Sequence, residues 1–164
     1  MPKHEPSDYN CPICTIAAGG EDEETVVWRD DLSIAVLGIN QQLGNEGRIL
    51  VSPIAHFENI YDLPEQLGAH LFAVTRQLSI AMKRALGCDG ITIRQNNEPA
   101  SEQHVWHYHT HVIPRFVNDK HNDEPQFFMP LQKRIDYARR IRMAIDASAA
   151  QPGGQGGRAR HIRS

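Results

Sequence analysis

Three histidines alternate with other residues in one short stretch of this chain, and imidazole is the side chain best suited to reaction near neutral pH. They are His107, His109 and His111. A strand sends alternate side chains to opposite faces, so a strand here would place the three rings on one face, with Gln103 ahead of them. Such a row of rings can ligate a metal ion, or it can bind and attack a phosphorus centre. The residues alone leave both alternatives open.

The side chains between the histidines favour the strand interpretation. They are aromatic or β-branched, which are types that pack well on a sheet: Trp106, Tyr108, Thr110 and Val112. His104 falls on this second face by the same alternation. It could reach the three histidines only through a bulge or a bend. The pattern predicts one strand through residues 103–115.

Two cysteines near the N-terminus, Cys11 and Cys14, form a Cys-x-x-Cys pair. Such a pair can be a redox site, half of a zinc site or two unrelated thiols. A redox pair normally opens a helix that follows a strand, and the sequence shows no such unit around it. A zinc site needs two more ligands, for which His56 and His107 are available.

The composition is that of one ordinary soluble globular domain. The chain has 164 residues, of which 40% are hydrophobic and 23% charged. A formal net charge of −3 gives no electrostatic reason to expect nucleic acid or a membrane as a partner. There is no long apolar run and no signal-peptide core, and the three cysteines do not form a disulfide framework. We therefore expect a cytoplasmic protein.

The other elements follow from hydrophobic periodicity and from turn residues. Strands are expected at 25–29, 32–37, 48–52 and 90–95, with a polar loop over 38–47 that forms one wall of a pocket. A long amphipathic helix is expected to begin with Asp62 as its N-cap and to end near Gly87. A second amphipathic helix follows over 131–145. Residues 1–9 are expected to be flexible, and the Gly-rich tail 149–164 to be disordered.

The segment His107–Ile113 resembles the His-x-His-x-His-x-x signature of the histidine triad (HIT) family. Cys11–Cys14, Gly47–His56 and Gln95–Asn97 also fall, in order, where similar segments of that family lie, so that the resemblance covers about residues 10–116. It implies an α+β fold with an antiparallel sheet of about five strands, a long helix and a C-terminal helix, in a domain spanning residues 10–148. It also implies a homodimer.

The resemblance implies a role in metal binding or catalysis for each of several side chains. Some HIT proteins hold a structural zinc ion with residues that match Cys11, Cys14, His56 and His107. The family's nucleophile, which attacks the α-phosphorus of a nucleotide, matches His109. His111 and the amide of Gln103 would then donate to the phosphate oxygens. The hydroxyl that precedes the triad in many members is His104 here, and we expect His104 to protonate the leaving group instead.

The resemblance also places a nucleoside pocket. The family's acidic residue that holds the ribose hydroxyls matches Gly38, and Asn40 could take its place. Asn96 is expected to contact a phosphate or the ribose. The base would lie against four apolar side chains, which could equally be plain core: Ile13, Ile16, Val36 and Ile39.

The expected function is therefore hydrolysis or nucleotidyl transfer at the α-phosphate of a nucleoside phosphoramidate or a dinucleoside polyphosphate. It would run through a covalent nucleotidyl-His109 intermediate. One alternative is a nucleotide-binding module with little or no turnover. Another is a metal-dependent enzyme in which the three histidines bind a catalytic metal.

Overall fold

A computed structural model describes residues 3–20, 22–121 and 123–149. The tail predicted to be disordered lies, from residue 150 onward, outside the described residues. The helices are α1 (Pro12–Ala17), α2 (Glu65–Leu86) and α3 (Leu131–Ala149). The strands are β1 (Val26–Arg29), β2 (Ser33–Leu37), β3 (Asn40–Gln42), β4 (Ile49–Pro53), β5 (Gly90–Gln95), β6 (Thr110–Arg115) and β7 (Gln126–Phe128). None of the described helices is long and apolar enough to cross a membrane.

Five strands form an antiparallel sheet in the order β1-β2-β4-β6-β5, which confirms the predicted fold class. The alternating side chains of these strands build two different faces. On one face Ile49 pairs with Val112, and Val112 with Ile93. This face packs against α2 and α3, whose buried side chains Leu78 and Ile141 belong to the main hydrophobic core.

The opposite face carries the polar chemistry. In register across the sheet, Val36 pairs with Leu50, Leu50 with His111, and His111 with Arg94. Register partners share a face, so these four side chains form one row. At its β2 end the row merges into a smaller apolar cluster beneath α1. The sheet therefore separates a dry helical core from a face that combines apolar, imidazole and guanidinium groups.

The long helix was predicted correctly at its end and wrongly at its beginning. Gly87 adopts a left-handed conformation (φ 67°) and caps α2, as its position predicts. The helix begins at Glu65, however, and its N-cap is Pro64 rather than Asp62. Asp62 instead belongs to a short 3₁₀ turn at Ile60–Asp62, which is capped by the side chain of Asn59. A residue before a proline disfavours the α conformation, so the helix cannot extend back through Leu63.

The loop expected over residues 38–47 contains a strand that the sequence did not reveal. Strand β3 pairs with β7, which lies far along the chain, to form a second, two-stranded sheet. The polar residues of β3 carry no hydrophobic alternation, so this pairing leaves no periodic signal. A strand held by a distant partner is invisible to local patterns.

One buried amide holds this loop closed. Gln41 is fully buried, and its Nε2 donates to the carbonyls of Gly38 (2.6 Å) and Arg48 (3.0 Å). Its Oε1 accepts the backbone N–H of Gly47 (3.0 Å) and of Arg48 (2.8 Å). The Gln41 side chain therefore supplies the hydrogen bonds that a partner strand would otherwise make to the backbone of residues 38–48.

Replacing Gln41 by leucine keeps the volume of the side chain but leaves two buried N–H groups without acceptors. We expect Gln41→Leu to lower the free energy of unfolding by about 2–5 kcal/mol, since each orphaned donor costs roughly 1–3 kcal/mol. Gln66→Leu, on the exposed surface of α2, is the matched control and should change it by less than about 0.5 kcal/mol. Urea unfolding measures both. Equal midpoints for the two variants would show that the buried amide does not hold the loop.

Candidate metal site and reactive histidines

Two cysteines and two histidines meet at one point beside α1. The sulfur or nitrogen atoms of Cys11, Cys14, His56 and His107 all lie within 4.8 Å of one another. His107 Nδ1 lies 3.3 Å from Cys11 Sγ and 3.4 Å from Cys14 Sγ, and His56 Nδ1 lies 3.2 Å from Cys14 Sγ. Ligands around a tetrahedral zinc ion are about 3.5 Å apart, given Zn–S and Zn–N bonds of about 2.3 and 2.0 Å. Both the spacing and the donor types fit zinc.

Local structure explains how the thiols come to face the rings. Cys11 is the N-cap of α1, where its Sγ accepts the backbone N–H of Cys14 (3.4 Å), and Pro12 occupies the first turn. One turn of helix therefore brings both sulfurs to the same end. Burial, followed by the neighbouring Cys11 sulfur, raises the pKa of Cys14 to about 12. A cation between the sulfurs would remove the repulsion that keeps this thiol protonated.

The two histidines of this cluster are oriented through their other ring nitrogens. His107 Nε2 contacts the carbonyl of Pro53 at 3.0 Å, and His56 Nε2 contacts the carboxylate of Glu5 at 3.1 Å. A carbonyl only accepts, so the proton of neutral His107 lies on Nε2 and the lone pair of Nδ1 faces the thiols. Burial is the main cause that lowers the pKa of His107 to about 4, which keeps the ring in its ligating form.

The segment predicted to be flexible contributes to this site. Besides the contact of Glu5 with His56, the backbone N–H of His4 donates to Glu58 (2.6 Å), and the hydroxyl of Tyr9 accepts the backbone N–H of Trp106 (3.1 Å). The flexibility of residues 1–9 stays a prediction. The described part of the segment nevertheless bonds to Glu58, which lies just after His56, and to Trp106, which lies just before His107.

The strand predicted through residues 103–115 begins only at Thr110. Ahead of that residue the backbone bonds elsewhere: the N–H of Tyr108 donates to the carbonyl of Phe57 (2.6 Å), and that of Trp106 donates to Tyr9. The three imidazoles therefore do not form a single row. The His107 ring packs edge-on against His56 (centroids 4.7 Å apart), while His109 packs edge-on against His111 (4.8 Å).

His109 is held in a defined tautomer. Its Nδ1 lies 2.7 Å from the backbone carbonyl of His107 and must donate to it. The Nε2 atom consequently carries the lone pair. The ring is 7% exposed, and this burial, reinforced by the positive charge of Arg48 and opposed by the bond to His107, lowers the pKa of His109 below its ordinary 6.5. A neutral imidazole with a free Nε2 is a nucleophile at pH 7.

His111 completes the pair. Its Nδ1 is buried and has no hydrogen-bond partner among the described residues. Burial, then the neighbouring His109 and the two guanidinium groups of Arg48 and Arg94, lower the pKa of His111 to about 3. The ring is thus neutral near pH 7, with one N–H available to donate and one nitrogen able to accept.

The three residues predicted to assist the triad, Gln103, His104 and Asn96, differ in burial and in hydrogen bonding. Both amide hydrogens of Gln103 are engaged, with the carbonyls of Glu58 (2.6 Å) and Val105 (3.1 Å), so in this structure Gln103 ties the loop together instead of presenting a free donor. His104 is exposed and lies outside the strand, where the alternation argument does not apply. Among the described residues, the side-chain amide of Asn96 makes one long contact, 3.4 Å to the carbonyl of Glu102.

The residues predicted for the nucleoside pocket fall into two groups. Ile13 and Val36 are buried in the small cluster beneath α1, with Ile16 packed against it. Ile39 is 39% exposed and lies outside that cluster, and Asn40 is exposed within β3. The structure brings the first three together, while the last two lie on the neighbouring loop.

Two arginines that the sequence analysis passed over share the histidine face. Arg48 lies two residues before Leu50, and Arg94 is the register partner of His111. The signal that could have found them is alternation, which puts Arg48 with Leu50, and Arg94 with Thr92, on the same face of the sheet, on the two sides of β6.

Comparison with known proteins identifies this arrangement. The family model described as the HIT domain matches residues 19–118. An uncharacterised HIT-like protein of Saccharolobus solfataricus is 32% identical over 136 residues, which cover 82% of this chain and 94% of that protein. An adenylylsulfatase of Arabidopsis thaliana is 28% identical over 110 residues, which cover 67% of this chain and 54% of the relative.

A solved structure extends the likeness to the metal site. The crystal structure of a zinc-bound histidine triad family protein from Mycobacterium smegmatis superimposes with a TM-score of 0.74 at 27% identity, covering 87% of this chain and 98% of that one. The Cys₂His₂ cluster described above fits a zinc-containing member of the same group. The chain belongs to the histidine triad (HIT) family of nucleotide-binding proteins.

Proposed function

We propose that this protein cleaves nucleotides at the α-phosphorus, with His109 as the nucleophile. The observation that carries the proposal is the bond from His109 Nδ1 to the carbonyl of His107, which leaves Nε2 unprotonated on a buried, neutral ring. Membership of a nucleotide-binding family and the likeness to an adenylylsulfatase support the same reaction class. Suitable substrates are nucleoside phosphoramidates and dinucleoside polyphosphates.

The proposed reaction has two displacements. The lone pair of His109 Nε2 forms a bond to the α-phosphorus, while the bond from phosphorus to the leaving oxygen or nitrogen breaks and the leaving group takes its electron pair and a proton. Water then attacks the same phosphorus, the phosphorus–nitrogen bond breaks, and a nucleoside monophosphate is released. If an alcohol or phosphate replaces water, the same intermediate gives nucleotidyl transfer.

The neighbouring side chains have supporting roles in this proposal. The N–H of His111, beside the His109 ring, donates to a non-bridging phosphate oxygen, where charge develops in the transition state. Asn96, whose amide has only one long contact, reaches a phosphate or the ribose. Exposed His104 protonates the leaving group. Gln103 acts by holding the loop 98–105, and Asn40 and Ile39 line the mouth of a pocket floored by Ile13, Ile16 and Val36.

Removal of the nucleophile gives the direct test. We expect His109→Ala to reduce release of nucleoside monophosphate by at least about 10³-fold, because no covalent intermediate can form. The assay uses adenosine phosphoramidate, dinucleoside polyphosphates and their guanosine counterparts. The matched control is His70→Ala, which removes a histidine of α2 that contacts Asp30 (3.0 Å), the residue after edge strand β1.

Equal turnover by wild type and His109→Ala would overturn the proposed role of His109. Nucleotide binding by both proteins without any release would instead favour the binding module, the alternative left open by the glycine at position 38 where the family has an acidic residue.

We also propose a structural zinc ion at Cys11, Cys14, His56 and His107. Bound there, zinc would tie α1 to the loops after β4 and before β6. It would leave the chemistry to His109 and His111, because the Nδ1 of His107 faces the thiols and that of His109 faces a carbonyl. This arrangement argues against one catalytic metal shared by all three histidines.

Metal analysis of purified protein tests this division. We expect one zinc per chain, lost in Cys11→Ser and retained in His109→Ala. Cys88→Ser is the matched control, because Cys88 is a buried free cysteine outside the cluster. If Cys11→Ser fails to fold, the wild type can be tested instead. A chelator alone should lower its Tm, and the same chelator with excess zinc should leave its Tm unchanged. Zinc that persists in folded Cys11→Ser, or that leaves with His109→Ala, would contradict the assignment.

The homodimer and the cytoplasmic location implied at the level of sequence remain proposals. Strand β5 lies at the edge of the sheet with Ile93 51% exposed, and an uncovered edge strand is a common site of pairing between copies. Light scattering should therefore give twice the mass of the chain, and a single-chain mass would rule the dimer out. The three free cysteines support a reducing compartment.

A further inference from the structure

Two guanidinium groups lie beside His111 on the histidine face of the sheet. Arg94 on β5 is the register partner of His111. Arg48 comes directly before β4, where its carbonyl accepts the backbone N–H of Gly38 (3.0 Å) and so continues the pairing of β2 with β4, and its charge acts on both His109 and His111. His111 thus lies between two positive charges. Both charges contribute to lowering the pKa of His111. Burial, followed by the charge of Arg94, lowers the pKa of Arg48 to about 10.

Neither charge is paired with a carboxylate, although the two arginines differ in burial: Arg94 is exposed to solvent, whereas Arg48 is only 8% exposed. The Nη2 of Arg48 donates to the carbonyl of Asn40, and its Nε is buried without a partner among the described residues. Among the described residues no carboxylate lies within 4.0 Å of Arg48 or Arg94. Three other arginines are each paired with a carboxylate: Arg29 with Glu23, Arg115 with Asp119 and Arg134 with Asp22.

A buried, unpaired cation is costly unless something else supplies the opposite charge. A Cβ atom placed on Gly38 would lie 3.6 Å from Arg48 Nε, so glycine at position 38 puts no side chain against this edge of the guanidinium. His121 is a neutral neighbour of this region: it is 8% exposed, its Nδ1 has no partner among the described residues, and burial, followed by the charge of Arg115 and opposed by Asp119, lowers its pKa.

Oxyanions match this environment in charge and in geometry. A phosphate or sulfate group accepts several hydrogen bonds at once from a guanidinium, and such charge-assisted bonds are roughly twice as strong as neutral ones. The phosphate attacked by His109 would already be bound at the His109–His111 pair. The arginines therefore offer more positive charge than one phosphate requires.

We propose that Arg48 and Arg94 form a second oxyanion subsite next to the reactive histidines, so that the preferred substrates are nucleotides carrying a phosphate or sulfate in addition to the α-phosphate. The inference rests on the proposed function, since it names the substrate class of the same site. The second group is either on the leaving-group side, as a β-phosphate or sulfate, or on the ribose. Phosphoramidates with an uncharged leaving group would be poorer ligands.

Binding of matched nucleotides separates these cases. The probes are AMP, α,β-methylene-ADP for the leaving-group side, and adenosine 2′,5′- and 3′,5′-bisphosphate for the ribose side, together with the guanosine series. None of them can be cleaved at the α-phosphorus, because the bisphosphates have no leaving group there and the methylene bridge resists displacement. Calorimetry then gives the ratio of the Kd for the monophosphate to the Kd for each doubly charged probe.

For the wild type we expect at least one doubly charged probe to bind about tenfold or more tightly than the monophosphate, which also identifies the side. Arg48→Gln should bring this ratio close to one, Arg94→Gln should reduce it, and Arg48→Lys should keep part of it. Arg76→Gln, an exposed arginine on α2 behind the sheet, is the matched control and should leave it unchanged. The backbone of Arg48 holds the loop through Gln41, and the side chain adds only its bond to the carbonyl of Asn40, so Arg48→Gln should still fold.

The subsite is overturned if wild type binds mono- and doubly charged probes within about twofold, or if Arg48→Gln weakens both equally. Turnover of adenosine phosphoramidate by wild type and His109→Ala, measured in parallel, separates this result from the proposed function. His109-dependent release with no preference for a second oxyanion removes the subsite alone. A clear preference without any release keeps the subsite and removes the hydrolase.

Discussion

The hydrogen bond from His109 Nδ1 to the backbone carbonyl of His107 decides which nitrogen of His109 stays free. That carbonyl is in turn fixed by the ring of its own residue, which is held between the carbonyl of Pro53 and the two cysteine sulfurs. The candidate metal cluster and the proposed nucleophile are therefore connected through a single residue. A shift of His107 would change both the ligand set and the orientation of His109.

This dependence explains why the strand begins as late as Thr110. In a regular strand His107 and His109 would point the same way, and both rings would be available to one metal or to one phosphate. Because the backbone before Thr110 bonds to Phe57 and Tyr9, the His107 ring turns to the thiols while that of His109 stays with His111. The irregular segment thus allows three closely spaced histidines to have two different environments.

Electrostatics separates the two environments further. Burial is the largest cause that keeps all three triad imidazoles neutral, which suits a ligand and a nucleophile alike. On the side of His107 the neighbours are thiols, which a cation would stabilise. On the side of His111 they are Arg48 and Arg94, which an anion would stabilise. The proposed cation site at His107 and the proposed anion site at His111 therefore lie on either side of His109.

Local patterns in the sequence were enough for much of this. Alternation and turn residues predicted the five main strands and the capping glycine at position 87. Alternation placed His109 and His111 on one face but wrongly placed His107 with them. The Cys-x-x-Cys spacing pointed to half of a metal cluster, and the resemblance to the HIT family implied the full set with His56 and His107. Features that depend on distant partners were missed. Strand β3 needs β7, the loop at 38–48 needs the amide of Gln41, and Arg48 has significance only beside His111.

The central claim is that Nε2 of His109 forms a covalent bond to the α-phosphorus. The most direct measurement is to mix the protein rapidly with adenosine phosphoramidate, quench in alkali, in which a phosphorus–nitrogen bond to histidine survives, and locate the adduct by mass spectrometry of proteolytic fragments. We predict one nucleoside monophosphate on the fragment containing His109, assigned to that residue by fragmentation. An adduct on another residue, or steady product release with no adduct at any mixing time, would contradict the account.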